Sequence, residues 1–447
     1  MNVAVCCAYF RDSIVTLLVQ DLERWGAEIH LWALESALPS VAPLTRGVGA
    51  LGKFQALNRL LPHVADADVV LFVDDDARLG PTFLPTYLAI SEALGAAVAQ
   101  PALVAGSYFN VDITLERKGH WARLTNFVEV GPVFSMRRDF LRLAAPFPET
   151  NPMGWGLDYQ WSAIARSRGL RMAIVDACPV EHTFRPIGAR YPLAGAIEDM
   201  ERFLAEGGLA PIPARVERDF PRIYDRREDY LRAFPAPPEA LGHGIGSDME
   251  QDLSLLWAVA SLVRPETIVE LGTRLGTSTR TLIHAARQWG GRVVTADPVD
   301  ARPCLNGLPC EFFHGTGEAL YEGWAMPVGL LFIDTDPHTY DQTRRWLDTW
   351  VRTWLADGGV AVFHDVIAAR PEIRVAEAVR DWLREQPQAW RWQEFAGTWG
   401  LGLLWRTADA PDFEGSVGRC ARWASPGSIP RSTSDAVGGL RADSSQL

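Results

Sequence analysis

Apolar runs of strand length alternate with helix-length amphipathic stretches along most of the chain. Val3–Ala8 is a strand-like run and Ile14–Trp25 follows with helical spacing; Val69–Val73 is a second buried strand and Phe83–Leu94 is again helical. This alternation predicts βαβ units and a largely parallel sheet. Between about Pro192 and Gly246 the pattern changes to charged helical stretches (AIEDMERFLAEGG, RVERDFPRIYDRREDYLRAF) and then to PAPPEALGHGIG, rich in Pro and Gly. Such a shift reads as a domain boundary. From Ser247 a second alternation begins, with helix Met249–Val263, strand Thr267–Glu270, a glycine-containing turn, helix Ser278–Trp289 and strand Arg292–Ala296, which predicts a second Rossmann-like domain. After Trp405 few groups can repay ordering entropy, so a flexible tail is expected.

Composition narrows the class. The 447 residues are 48% hydrophobic and 22% charged, which suits two or three globular domains and excludes collagen-like, coiled-coil and wholly disordered chains. The net charge of −12 would repel a phosphate backbone, so nucleic acid is not expected as a main partner. The start, MNVAVCCAYFRDS, lacks a basic n-region and a small-residue cleavage site, and no apolar run approaches ~18 residues, so neither a secretory leader nor a membrane span is expected. The six cysteines lack paired C-x-x-C spacing; reduced thiols and a cytoplasmic location follow as expectations. Lysine occurs only at Lys53 and Lys118, which reads as compositional bias.

The first concentration of chemistry is VVLFVDDDARLG, where Asp74, Asp75 and Asp76 follow a buried strand. Adjacent carboxylates repel unless a cation or hydrogen-bond donors offset them, and a D-x-D pair at a strand end suits Mg²⁺ or Mn²⁺ shared with a diphosphate. A solvated acidic turn is the alternative for the aspartates taken alone. Further along come AQPAL (Ala99–Leu103), VEVGPVFS ending at Ser135, GWGLD (Gly154–Asp158) and IVDACPVEH ending at His182. In this order the motifs resemble a family of glycosyltransferases with the GT-A fold, similar to glycosyltransferase family 2, over roughly residues 1–190. The resemblance implies that Asp74 and Asp76 hold a divalent metal and the sugar-nucleotide diphosphate, that His182 is a further metal ligand, and that Asp158 is the general base for the acceptor hydroxyl. An ordinary buried histidine remains the other reading of His182, and Trp155 reads as packing or as a stacking platform.

In the second half, TIVELGTRLGTSTRTL joins a β-branched strand to a helix through Gly272 and Gly276, a turn that lets a ligand approach the backbone. It is not G-x-G-x-x-G, which removes the main fingerprint of a nicotinamide enzyme. RVVTAD ends on Asp297, VGLLFID leads to Asp334, Asp336 and His338, and GGVAVFHD ends on His364 and Asp365. In an open parallel sheet these strand ends share one edge, where ligands bind. The order E-L-G-x-x-x-G-x-S, strand-end Asp, I-D-x-D with H-x-Y, then G-G-x-x-x-x-H-D resembles class I S-adenosylmethionine-dependent O-methyltransferases over roughly residues 247–406. The resemblance implies that Glu270, Gly272, Thr273 and Gly276 line the methionine end of the cofactor, with Ser278 beside it, and that Asp297 binds the ribose. It also implies a divalent cation on Asp334, His364 and Asp365, with Asp336 or His338 as general base; a strand-end hydrogen-bond pair without a metal is the other reading of His364 and Asp365. Pro337 separates the last two where many relatives have no proline.

The expected fold class is therefore α/β with two Rossmann-like domains: a GT-A glycosyltransferase-like domain at 1–195, a helical segment and linker at 196–246, a class I methyltransferase domain at 247–407 and a tail at 408–447. The leading expectation is a bifunctional transferase using a nucleotide-sugar donor, S-adenosylmethionine and Mn²⁺ or Mg²⁺ on a carbohydrate or glycosylated acceptor. The alternatives are an O-methyltransferase with a non-catalytic acceptor-binding first domain, a non-catalytic sensor and a dinucleotide oxidoreductase.

Overall fold

The computed structural model describes residues 1–305, 307–367, 370–386, 390–406 and 413–423. Two separate sheets organise them. The first contains β1 (Val3–Tyr9), β2 (Glu28–Ala33), β3 (Thr45–Val48), β4 (Val69–Val73), β5 (Ala96–Leu103), β6 (His120–Thr125), β7 (Val133–Arg137), β8 (Arg171–Val180) and β9 (Val216–Pro221), in the order β3-β2-β1-β4-β7-β5-β8-β6-β9. Strands β3, β2, β1 and β4 run parallel. Because β4 and β5 are each antiparallel to β7, and β8 is parallel to β5, the strands β1, β4, β5 and β8 all point one way. The ends of β4 and β8, which lead into Asp74 and His182, therefore lie at one edge.

The second sheet contains β10 (Thr267–Leu271), β11 (Arg292–Asp297), β12 (Glu311–His314), β13 (Val328–Ile333), β14 (Leu355–His364), β15 (Trp390–Phe395) and β16 (Leu401–Arg406). Its order is β12-β11-β10-β13-β14-β16-β15, with β16 alone running against the other strands. This is a Rossmann-like arrangement. It brings the ends of β10, β11, β13 and β14 to a common edge.

Alternation along each strand supplies the two faces of each sheet. In β1, Val5, Cys7 and Tyr9 enter one core while Ala4 and Cys6 enter the other. In β13, Leu330 and Phe332 face one core and Leu331 and Ile333 the opposite one. Helices cover both faces, which is why these strands read as unbroken apolar runs. Cys6, Cys7, Cys178, Cys304 and Cys310 are free. Among the described residues no helix is long and apolar enough to cross a membrane.

Two expectations are corrected. The segment 196–246, expected to be helical and then a Pro/Gly linker, does contain helices, but its parts are divided between the halves. Helix Leu193–Glu206 reaches the first sheet's ligand edge, β9 adds the outermost strand of that sheet, and helix Arg227–Ala233 packs on helix Leu253–Val263 with Tyr230 fully buried in the second half's core. High charge on the exposed faces disguised these buried anchors. The halves touch nearby, since a side chain at Gly119 would run into Leu262 and Phe234, and one at Gly358 into the backbone of Asp219. The stretch from 408 contains helix Phe413–Trp423, which returns to helix Phe83–Ala93 of the first half. Phe413 is buried there, stacked on Trp121 at 5.8 Å and edge-on to Phe220 at 5.5 Å. The rest of the expected tail, 408–412 and 424–447, lies outside the described residues.

Phe413→Ala removes this aromatic anchor. It is expected to cost about 3 kcal/mol, read as a lower urea midpoint for unfolding of the first half.

Candidate functional site

The first site is a cavity of about 520 Å³ at the ligand edge of the nine-stranded sheet. Asp74, Asp75 and Asp76 line it, together with His182 from the end of β8 and Asp158 from helix Leu157–Arg168. The three aspartates have separate partners. Asp74 Oδ1 lies 2.6 Å from Lys53 Nζ, which also donates to the Val130 carbonyl at 2.8 Å. Asp75 accepts the Phe10 amide at 2.7 Å and pairs with Arg185. Asp76 meets Arg185 Nε at 3.2 Å on one oxygen and His182 Nε2 at 3.5 Å on the other.

These partners decide the charge of each acid. Burial pushes Asp75 up to about 7 despite Arg185. Burial also works against Asp76, but the hydrogen bond and charge of His182, with Arg185, hold it below the usual carboxylate range. His182 is raised: burial disfavours its charged form, and Asp76 outweighs that.

Of the expected metal ligands, the structure brings Asp76 and His182 together. Asp74 lines the same cavity but is paired with Lys53, and it does not form a three-ligand cluster with Asp76 and His182 among the described residues. Arg185 went unnoticed in the sequence and Lys53 was read as compositional bias, although the rarity of lysine was a usable signal: one of two lysines stands in this cavity.

Asp158 sits in the first turn of its helix, after Gly156, whose backbone is left-handed with φ +87° and whose missing side chain leaves room for Met200 and Leu204. Asp158 Oδ1 accepts the Tyr159 amide at 2.9 Å. Burial pushes this carboxyl up to about 7, with the charge of Glu129 adding to the rise. Trp155 donates to the Tyr191 hydroxyl at 3.1 Å, and both rings line the cavity. Glu129, missed in the sequence, lines it too.

The second site gathers at the ends of β10, β11, β13 and β14. Gly272 carries φ +99°, and a side chain there would lie 1.9 Å from the Asp334 carbonyl, so the turn after β10 admits only glycine. Asp297 holds this turn: its Oδ2 accepts the Thr273 and Arg274 amides at 2.9 and 2.8 Å, and its Oδ1 accepts Val299 N at 2.7 Å. Gly276, with φ +74°, opens helix Thr277–Ala286.

Glu270 and Ser278 meet each other. Glu270 is fully buried and accepts Ser278 Oγ at 2.6 Å, Thr279 Oγ1 at 2.5 Å and Thr295 Oγ1 at 2.6 Å, while Thr273 and Thr295 hydroxyls lie 2.6 Å apart. Three neutral donors do not offset its desolvation, and its carboxyl is pushed up to about 7. Both of its oxygens are thus engaged beneath the glycine turn, a bracing position rather than an exposed lining.

Asp334, His364 and Asp365 present ligand atoms within 4.8 Å of one another. His338 Nε2 lies 3.2 Å from Asp334 and 2.9 Å from Asp365, and His364 Nδ1 lies 3.2 and 3.1 Å from the same two carboxylates. Burial opposes charge throughout the cluster, yet the two histidines hold Asp334 and Asp365 well below the usual range. The carboxylates in turn raise His338 to about 9 and His364 further. Asp336 stands apart, exposed at the turn before Pro337. His338 is thus the one of the two proposed bases that the structure brings to the cluster. Behind it, Asp252 is fully buried, 3.8 Å from His364 Nε2 and 3.1 Å from Arg227 Nη1. Neither residue stood out in the sequence, where Arg227 is one charge among many in a charged helical stretch.

Residues 269–366 match the family model described as a methyltransferase domain. The match runs from within β10 to just past the end of β14, so it is the C-terminal half that resembles a methyltransferase domain. Among solved structures, the chain is similar to the S-adenosylhomocysteine-bound methyltransferase PaMTH1 from Podospora anserina, at 15% identity over 40% of this chain and 92% of that one, with a TM-score of 0.32. It is similar to the O-methyltransferase TomG from Streptomyces achromogenes, involved in tomaymycin synthesis and bound to SAM, at 20% identity over 40% of this chain and 85% of that one, TM-score 0.29. It is also similar to GalNAc-T7 with UDP, GalNAc and Mn²⁺, at 14% identity over 45% of this chain and 48% of that one, TM-score 0.34.

The Asp158 carboxyl sets a pH dependence. Its value is near 3.9 in an unfolded chain and about 7 in the fold, so the native state binds the extra proton between these limits. Stability falls as pH rises from about 4 to about 7, and the full deficit stands above 7. Asp158→Asn removes the deficit: it is expected to stabilise by on the order of 2 kcal/mol at pH 8 and by little at pH 4, as melting curves at both pH values would show.

Proposed function

We propose that the chain is a bifunctional transferase, with metal-dependent glycosyl transfer from a nucleotide sugar in the N-terminal half and S-adenosylmethionine-dependent O-methylation of a carbohydrate or glycosylated metabolite in the C-terminal half. The observation that carries the methyl-transfer half is the histidine–carboxylate cluster at the strand edge of a methyltransferase domain. His338, between Asp334 and Asp365, is suited to receive the acceptor hydroxyl's proton once one carboxylate partner is engaged elsewhere. Oxygen and imidazole donors suit Mg²⁺ or Mn²⁺, and Asp334, His364 and Asp365 would hold it. Such an ion, when bound, would polarise the acceptor oxygen. The glycine turn braced by Asp297 and Glu270 offers the close backbone approach a cofactor needs. Asp297 is assigned to the ribose, with Gly272, Thr273 and Gly276 at the methionine end. Glu270 and Ser278 support that turn.

The glycosyl-transfer half rests on the cavity that collects Asp76, His182 and Asp158. Asp76 and His182, 3.5 Å apart, are spaced to share one cation, with Asp74 joining if Lys53 releases it. The ion would neutralise charge on a departing diphosphate. Asp158, with its affinity for a proton matched to neutral pH, serves as the base toward the acceptor hydroxyl. Joining two such sites in one chain raises the local concentration of the first product at the second site.

One observation favours the second reading, an O-methyltransferase with a non-catalytic acceptor-binding first half: Lys53 and Arg185 already neutralise the three aspartates. Melting curves with a panel of nucleoside diphosphates, with and without Mn²⁺, separate the two. A Mn²⁺-dependent rise for one nucleotide, lost in Asp76→Ala while the rise with S-adenosylhomocysteine persists, is the expected outcome. No nucleotide effect beside an intact S-adenosylhomocysteine effect would leave the second reading.

A further inference from the structure

The cations around the N-terminal cavity are committed. Lys53 is bound to Asp74, Arg185 to Asp75 and Asp76, and Arg190 to Asp12. Two acids lining the same cavity, Glu129 and Asp158, form no ion pair among the described residues. Glu129 is the more telling. It is 5% exposed; its Oε1 accepts Asn110 Nδ2 at 2.6 Å, and its amide is fixed by Gln100 Oε1, also at 2.6 Å. Its Oε2 has no hydrogen-bond partner. A buried carboxylate oxygen without a partner costs free energy that a bound donor recovers.

We propose that Glu129 and Asp158 form a recognition site for an acceptor bearing an amino group, of the amino-sugar class, with Glu129 Oε2 receiving the ammonium. A hydroxyl would satisfy the vacant oxygen but leave two desolvated carboxylates without a counter-charge. An ammonium supplies the hydrogen bond and the charge together, and a charge-assisted bond is roughly twice as strong as a neutral one. Burial pushes both carboxyls up to about 7, in keeping with acids that lack a counter-ion. Phe127, Tyr159, Trp155 and Tyr191 line the same space, and aromatic rings attract cations. Asn110 orients Glu129 and leaves the oxygen opposite free.

That the amine belongs to a glycosyl acceptor rests on the glycosyl-transfer reading; recognition of the amine does not. The test is isothermal titration of the full chain at neutral pH with glucosamine and with N-acetylglucosamine, in wild type and Glu129→Gln. A separate titration with UDP and Mn²⁺ judges the donor site. Glucosamine is expected to bind at least about tenfold more tightly than its N-acetyl form, the ratio of one charge-assisted contact, and Glu129→Gln is expected to reduce that ratio to within about twofold. No saturable glucosamine binding, no preference in wild type, or a preference that survives in Glu129→Gln would overturn the proposal. Should the variant not fold, the wild-type ratio decides alone. Loss of UDP binding with the amine preference intact would overturn the glycosyl-transfer reading and leave the amine site standing.

Discussion

Carboxylates gathered at the ends of parallel strands are the constraint on which both halves of this molecule depend. Such strand ends are where open α/β sheets bind ligands, but taking several acids out of water together is costly unless opposite charge reaches them. The chain meets that requirement from distant segments. Lys53 comes from the helix after β3, Arg185 from beyond β8, His338 from the crossover after β13 and His364 from the end of β14. Each functional edge is therefore also a tertiary lock, and its geometry is fixed by ion pairs that a substrate or metal would have to rearrange.

The two edges solve the problem differently. In the second half the acids alternate with imidazoles, so His338 and His364 stay charged while Asp334 and Asp365 stay ionised. In the first half arginine and lysine neutralise only the Asp74–Asp76 loop, leaving Asp158 and Glu129 without a counter-ion and raised toward neutrality. The first arrangement suits holding and passing a proton beside a cation. The second leaves one acid placed to accept a proton and another placed to recognise charge. Within the second half, Arg227 extends this scheme by reaching the buried Asp252 that lies against His364.

Most of the fold was legible because strands buried on both faces write themselves as apolar runs, and their ends carried the informative residues. Val69–Val73 leading to Asp74–Asp76, and β14 leading to His364 and Asp365, needed no structure to be found. What stayed hidden depended on contacts across long stretches of sequence. Nothing local tells that Lys53 reaches Asp74, that Arg227 reaches Asp252, or that Glu270 is braced by Ser278, Thr279 and Thr295. The segment 196–246 misled because its exposed charge outweighed a few buried anchors such as Tyr230. The helix at Phe413–Trp423 misled because one phenylalanine among polar residues was enough to dock it.

The central claim is that one chain carries two separate transferase sites. Calorimetric titration of a single preparation with S-adenosylhomocysteine and then with a nucleoside diphosphate and Mn²⁺ tests it most directly. The account predicts that each ligand saturates at about one equivalent per chain, and that the second titration is unchanged by the first. Saturation by S-adenosylhomocysteine alone, across all the nucleotides, would contradict it.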